Sequence, residues 1–225
     1  MAEVNKKILG TIRGKIGDVV FRERNGKVFA YSKPKKYRKS RSSKIKTARN
    51  KFATIIQFAN LIKSIPDLYL IWKISKLPGS NVYQRIIKNN LSLANGPDLS
   101  INNLFFPPGL DFNFSIVNVN QSKNKITGID FQLSFEDKVR EIFEQSSLIA
   151  LLYKTNVSKV ISQQEKFVLT QTEIQINSNS NRINVNLPLD VKFTNSDSII
   201  CLFGLISRNS DRDIYWSSSK GFKLI

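Results

Sequence analysis

The stretch Ile129-Asp130-Phe131-Gln132-Leu133-Ser134-Phe135 puts an apolar side chain at every second position. Successive side chains of a strand point to opposite faces, so this period reads as a strand with one buried and one wet face. Phe112, Phe114 and Ile116 alternate in the same way. Further strand-like runs lie at 148–153, 167–176, 183–187, 199–207 and 214–217, and the chain ends in Gly221-Phe222-Lys223-Leu224-Ile225. Clusters of Asn, Ser, Asp and Gly separate them. Seven or eight short strands over about 115 residues predict an antiparallel, Ig-like β-sandwich spanning residues 109–225. Cys201 falls inside one apolar run, Ile199-Ile200-Cys201-Leu202-Phe203, and reads as a buried small hydrophobe.

Upstream, residues 42–108 change period. Ala48, Phe52, Ile55, Ala59 and Ile62 recur at steps of four and three, one apolar stripe on a helix capped by Ser42 or Ser43 and running to about Ser64. Pro66 ends it, and Asp67 starts a short helix. Leu77-Pro78-Gly79 reads as a turn, and Ser80 or Asn81 caps a third helix that stops before Asn95-Gly96-Pro97. The expectation is that this helical region packs under the segment that precedes it.

That segment, residues 1–41, is a basic hairpin and linker. Asn25-Gly26 stands between two β-prone runs, and a type I′ turn requires positive φ at both central residues. With that turn, Arg24 faces Lys27, Arg22 faces Phe29 and Val20 faces Tyr31. One face then carries Arg22, Arg24, Lys27, Phe29 and Tyr31, and the other Val19, Phe21, Val28 and Ala30. Gly10, Gly14 and Gly17 invite comparison with a phosphate-binding loop, but Gly14-Lys15 is followed by Ile16 and a strand, where such loops open a helix. Bends or bulges account for these glycines better. The linker 33–41 places Lys33, Lys35, Lys36, Arg38, Lys39 and Arg41 within nine residues, and Pro34 keeps it extended. The fold class expected is α+β: a basic hairpin, short helices, then the sandwich.

Charge follows this division. The formal net charge is +18; residues 1–60 hold 17 Lys or Arg against Glu3, Asp18 and Glu23, whereas residues 101–225 are nearly balanced. Such asymmetry points to a polyanionic partner of the N-terminal region. The first turns of the Ser43 helix carry Lys44, Lys46, Arg49 and Lys51, at the end where the helix dipole disfavours cations, and a bound anion would compensate.

The order of segments resembles a family of proteins of unknown function common in Bacteroidetes and their relatives. The likeness rests on Gly14-Lys15-Ile16-Gly17-Asp18-Val19-Val20, Lys33-Pro34-Lys35-Lys36 and Arg49-Asn50-Lys51-Phe52-Ala53, and extends to Leu187-Pro188 and Ser217-Ser218-Ser219. Where that family has Thr-Pro-Ala-Gln, this chain has Ser42-Ser43-Lys44-Ile45, so what it resembles is a divergent member. The resemblance implies the architecture and no catalytic residue.

The chain has no His and a single Cys, which removes Ser-His-Asp triads, His-ligated zinc, internal disulfides and Cys-rich metal sites. The carboxylate pairs Glu136/Asp137, Glu141/Glu144 and Asp211/Asp213 sit in polar surroundings that would not raise a pKa for acid catalysis. The expectation is therefore no enzyme, no cofactor, no metal and no small-molecule substrate. The N-terminus lacks the apolar core of a signal peptide and no run is long enough to span a bilayer, which makes the cytoplasm the default and no membrane partner expected; a virion or an extracellular nucleoprotein filament is the alternative setting. The leading expectation is a DNA- or RNA-binding structural protein. Its predicted contact residues are Arg13, Lys15, Arg22, Arg24, Lys27, Phe29, Tyr31, Lys33, Lys35, Lys36, Tyr37, Arg38, Lys39, Arg41, Lys44, Lys46 and Arg49, the cations for phosphates and the aromatics for stacking. Self-association is expected as well, because the apolar face of a short hairpin needs cover. The alternative is an assembly protein, of a filament or a virion, whose basic arm contacts neighbouring subunits instead of nucleic acid.

Overall fold

The computed structural model describes residues 2–4, 14–24, 27–33, 42–155, 166–176, 182–193, 197–209 and 213–224. They fall into two compact units, Met1–Ser42 and Ser43–Ile225. The whole is mixed α+β, with mostly antiparallel, unclosed sheets and four helices among the described residues.

In the first unit, β1 (Ala2–Val4), β2 (Gly14–Ile16), β3 (Val19–Arg24) and β4 (Lys27–Ser32) form one antiparallel sheet in the order β1-β4-β3-β2. The β3–β4 register is the one predicted, with Arg24 opposite Lys27, Arg22 opposite Phe29 and Val20 opposite Tyr31. Asn25-Gly26 lies outside the described residues. The sheet differs from the expected two-stranded ribbon, because two three-residue strands flank it. Those strands are too short to show a period, and they give both sides of the hairpin a hydrogen-bonding neighbour; an isolated hairpin is marginal in water. Gly17, at φ 58°, supplies the positive φ for the two-residue Gly17-Asp18 turn that pairs Ile16 with Val19.

The second unit starts with α1 (Ser43–Ser64), α2 (Pro66–Ile74) and α3 (Val82–Asn90). Pro66 both ends α1 and opens α2, since proline's missing N–H costs nothing at the first helical position. The Asn81 side chain accepts a hydrogen bond from the Gln84 N–H at 2.9 Å and caps α3. The strands β5 (Asn113–Ser122), β6 (Lys125–Ser134) and β9 (Arg182–Lys192) make a three-stranded sheet in the order β5-β6-β9. A five-stranded sheet runs β11-β10-β7-β8, with β12 also paired to β10; its strands are β7 (Gln145–Thr155), β8 (Phe167–Gln175), β10 (Ser198–Arg208), β11 (Ile214–Trp216) and β12 (Lys220–Lys223). A short helix, α4 (Asp137–Ile142), carries the chain from β6 to β7.

Two cores result. Ile129, Phe131 and Leu133 of β6 and Val185 and Leu187 of β9 pack with Leu148, Ala150 and Leu152 of β7 and Cys201, Phe203 and Leu205 of β10. The period-two reading of 129–135 therefore holds residue by residue. The opposite face of the five-stranded sheet is also buried: Ile149, Leu151 and Tyr153 with Ile200, Leu202 and Ile206 meet Ile55, Phe58, Ile62, Leu68, Trp72 and Ile86 of the helices. Continuous apolar runs such as 148–153 and 199–206 arise because both faces of these strands are covered. The buried face of α1–α3 therefore packs on the sheet of its own unit. Residues 42–108 and 109–225 accordingly share a core.

The segment after α3 is held by buried polar contacts. Asn90 Oδ1 accepts from Leu104 N at 2.6 Å and from Asn103 Nδ2 at 3.0 Å, while Asn90 Nδ2 donates to the Ile86 and Leu104 carbonyls. Trp72 Nε1 donates to the Phe105 carbonyl at 3.1 Å. Phe106 then lies so close to Gly204 that a Cβ there would come within 2.5 Å of the ring. The Tyr153 hydroxyl donates to Asp98 Oδ1 at 2.6 Å; burial first, and this carboxylate second, push its ionisation far above the ordinary tyrosine range. Cys201 is free and fully buried, and desolvation pushes its thiol up, out of reach of thiolate chemistry.

Candidate nucleic-acid interface

Two surfaces carry the predicted contact residues. In the first unit, antiparallel pairing puts directly opposite residues on one face. The rows Lys15–Val20–Tyr31 and Arg22–Phe29 therefore share a face. Lys15, Arg22, Lys27 and Lys33 are exposed, and Phe29 and Tyr31 are half-buried between them. Arg24 is placed by its backbone, opposite Lys27. The other face holds Ile16, Val19, Phe21, Val28 and Ala30; Val28 is fully buried, while Ile16 and Val19 stay exposed. Arg13, Lys35, Lys36, Tyr37, Arg38, Lys39 and Arg41 lie outside the described residues.

In the second unit the surface is the start of α1. Every residue from Ser43 to Asn50 is exposed, and the first buried one is Thr54. At 1.5 Å per residue, roughly 16 Å of helix precedes the first buried side chain. At 100° per residue, Ile45, Ala48 and Phe52 form a ridge, with Lys44 and Lys51 on one side and Lys46 and Arg49 on the other. Ala48 and Phe52, read from the sequence as core, lie outside it; Phe52 is 45% exposed. The apolar stripe becomes a core contact only from Ile55 onward.

Four cations further along the chain are held in ion pairs with acids elsewhere in the chain. Lys125 pairs with Asp190 and Lys154 with Asp197, both at 2.9 Å; Arg208 pairs with Asp67 and Lys220 with Asp111. The Lys220 ammonium also lowers the Asp111 pKa, chiefly by its hydrogen bond. Arg85 donates to the Trp72 carbonyl at 2.6 Å and the Lys73 carbonyl at 2.8 Å, closing the C-terminus of α2. Lys44, Lys46, Arg49 and Lys51 have no acid within reach on their own helix, which contains no Asp or Glu. Between residues 24 and 97 the single acid is Asp67, and Arg208 occupies it.

A groove between α1 and α3 adjoins this surface. Its walls are Phe52, Tyr83 and Ile87, and its rim carries Ser80, Gln84 and Lys88. Of these, sequence reasoning assigned no functional role to any; the absence of acids across both helices is the signal that marks the region. Of the carboxylates weighed for catalysis, Glu141 and Glu144 line one open pocket with Arg208 and Tyr215. Glu136, Asp137, Glu141, Glu144 and Asp213 are exposed, and Asp211 lies outside the described residues. Among the described residues no group of three or more metal-ligating side chains forms, and no helix is long and apolar enough to cross a membrane. The chain matches no family model, no curated protein and no solved structure.

Proposed function

We propose that this is a non-enzymatic nucleic-acid-binding structural protein that coats or packages DNA or RNA through its basic N-terminal region. One observation carries the reading. The run from residue 24 to 66 has no acid, and the cations it places on α1, exposed except for the half-buried Lys51, have no ionic partner among the described residues. Cations crowded at a helix N-terminus repel one another and oppose the dipole, and a phosphate chain lying among them relieves both costs. The β3–β4 pair is read as a basic hairpin that adds a second set of phosphate contacts, with Phe29 and Tyr31 available for stacking. The purified chain should carry nuclease-sensitive material. An absorbance ratio typical of nucleic acid that collapses after nuclease treatment and a high-salt wash supports the reading; a protein-like ratio at every stage of a low-salt preparation counts against it.

The three- and five-stranded sheets are read as an Ig-like sandwich that faces outward or mediates assembly. Its outward polar face is self-satisfied: Asn118, Asn120, Asp130 and Asn186 are linked by hydrogen bonds. The edge strand β5 suits a second copy of the chain. It pairs only with β6 among the described residues, contains neither charge nor proline, and exposes Ile116 and Val117. The opposite edge, β9, carries Arg182, Pro188, Asp190 and Lys192, residues that discourage edge pairing. Antiparallel β5–β5 pairing predicts that light scattering reports growth with protein concentration and that Val117→Lys abolishes it. Monomers at all concentrations, with and without nucleic acid, would exclude assembly.

A further inference from the structure

The groove between α1 and α3 has a volume of about 650 Å³, within the range of small-ligand pockets. Phe52 forms one wall and lies outside the buried core, so nearly half of its surface faces water. Tyr83 and Ile87, half-buried on α3, form the other wall. At the rim, the Ser80 hydroxyl bonds to Gln84 Oε1, and the Gln84 amide nitrogen has no partner among the described residues. Lys88 is exposed beside it, and Arg49 and Lys51 lie within one helical turn of Phe52 on α1. Among the described residues no acid lines the groove, and the two helices that form it contain no Asp or Glu.

An aromatic ring at the mouth of an acid-free groove, a free amide and a rim of cations match one chemistry: a flat, polar-edged aromatic ligand carried on a polyanion. We infer that the groove receives an unstacked nucleobase of a single-stranded nucleic acid, whose phosphates run along Lys44, Lys46, Arg49 and Lys51. A base in a duplex is buried in its own stack and would not enter, so the site selects single strands. The inference rests on the nucleic-acid reading above and adds to it the strand state and the stacking residue.

The test uses the full chain and labelled 12-nucleotide strands of oligothymidine and oligouridine, an abasic phosphodiester of equal length, and a 12-base-pair duplex. Binding is followed by fluorescence anisotropy at low salt. The base-bearing strands should bind about tenfold more tightly than the abasic chain, and Phe52→Ala should remove that difference while leaving abasic affinity unchanged. In Phe52→Trp, the added emission should be quenched when a base-bearing strand binds, a readout that stands even if the alanine variant proves less stable. Equal affinity for abasic and base-bearing strands, or no quenching in Phe52→Trp, would overturn the base site while leaving phosphate binding intact. Failure of every strand to bind at low salt would instead remove the nucleic-acid reading itself.

Discussion

Changing Lys44, Lys46, Arg49 and Lys51 together to Gln should weaken nucleic-acid binding and stabilise the fold. Lys, Arg and Gln have nearly equal helix propensities, so α1 itself is not penalised. All four positions lie before the first buried residue of α1, so no core contact is lost. Lys44 and Lys46 sit in or next to the first turn, where unpaired backbone N–H groups present positive charge and no acid offsets them. A charge at a helix end is worth about 0.3–1 kcal/mol, so removing two unfavourable ones should add roughly 1 kcal/mol. For a chain of this size that raises the melting temperature by about 2–4 °C. Binding moves the other way. Each phosphate contact contributes about 0.7 to the log–log salt slope on a single strand, so losing four should flatten it by about 3. Differential scanning calorimetry and anisotropy titrations over a salt series measure the two quantities on the same samples. A lowered melting temperature with an unchanged slope would refute the reasoning, because these cations would then serve the fold.

Three other perturbations probe the fold. Gly204→Ala should cost about 1–3 kcal/mol in denaturant unfolding, because the new Cβ meets the Phe106 ring at 2.5 Å; an unchanged midpoint would mean that the segment carrying Phe106 yields freely. A fragment of residues 43–225 should unfold cooperatively, whereas 101–225 should not, since Ile149, Leu151, Tyr153, Ile200 and Leu202 would lose the helices that cover them; a cooperative melt of the shorter piece would show the helical layer to be dispensable. Tyr153 should stay un-ionised as the pH passes 10. Its folded pKa is raised, so its contribution to stability is complete below the unfolded value of about 10 and falls as the pH climbs towards the folded one. An ultraviolet titration should therefore leave the Tyr153 contribution missing until the protein unfolds, and full ionisation of all six tyrosines in the folded state would contradict this.

How far the sequence discloses this molecule depends on what each pattern encodes. Alternation at 129–135 names a face, and Phe131 and Leu133 are on it. The side chain of Asn81 names a helix start, and it accepts the Gln84 N–H. The stripe of α1 states only that something covers it; what does so, the outer face of β7 and β10, depends on strands far downstream in sequence. Unbroken runs such as 148–153 carry no period, which hides their second buried face. The elements β1, β2 and α4 are too short to hold a pattern. The charge asymmetry, visible at once, marked α1 as a candidate surface, but Phe52 looked like core because it continues the spacing of Ile55 and Ala59. Only the three-dimensional structure shows that the helix leaves the core before reaching it.

The central claim is that phosphates are this chain's ligand. The most direct measurement is the affinity of the full chain for a single strand as a function of salt concentration. With about 6–10 phosphates neutralised, the account predicts a log–log slope of about −4 to −7 and a loss of several orders of magnitude in affinity between low and elevated salt. A binding constant that barely changes across the same range would contradict it.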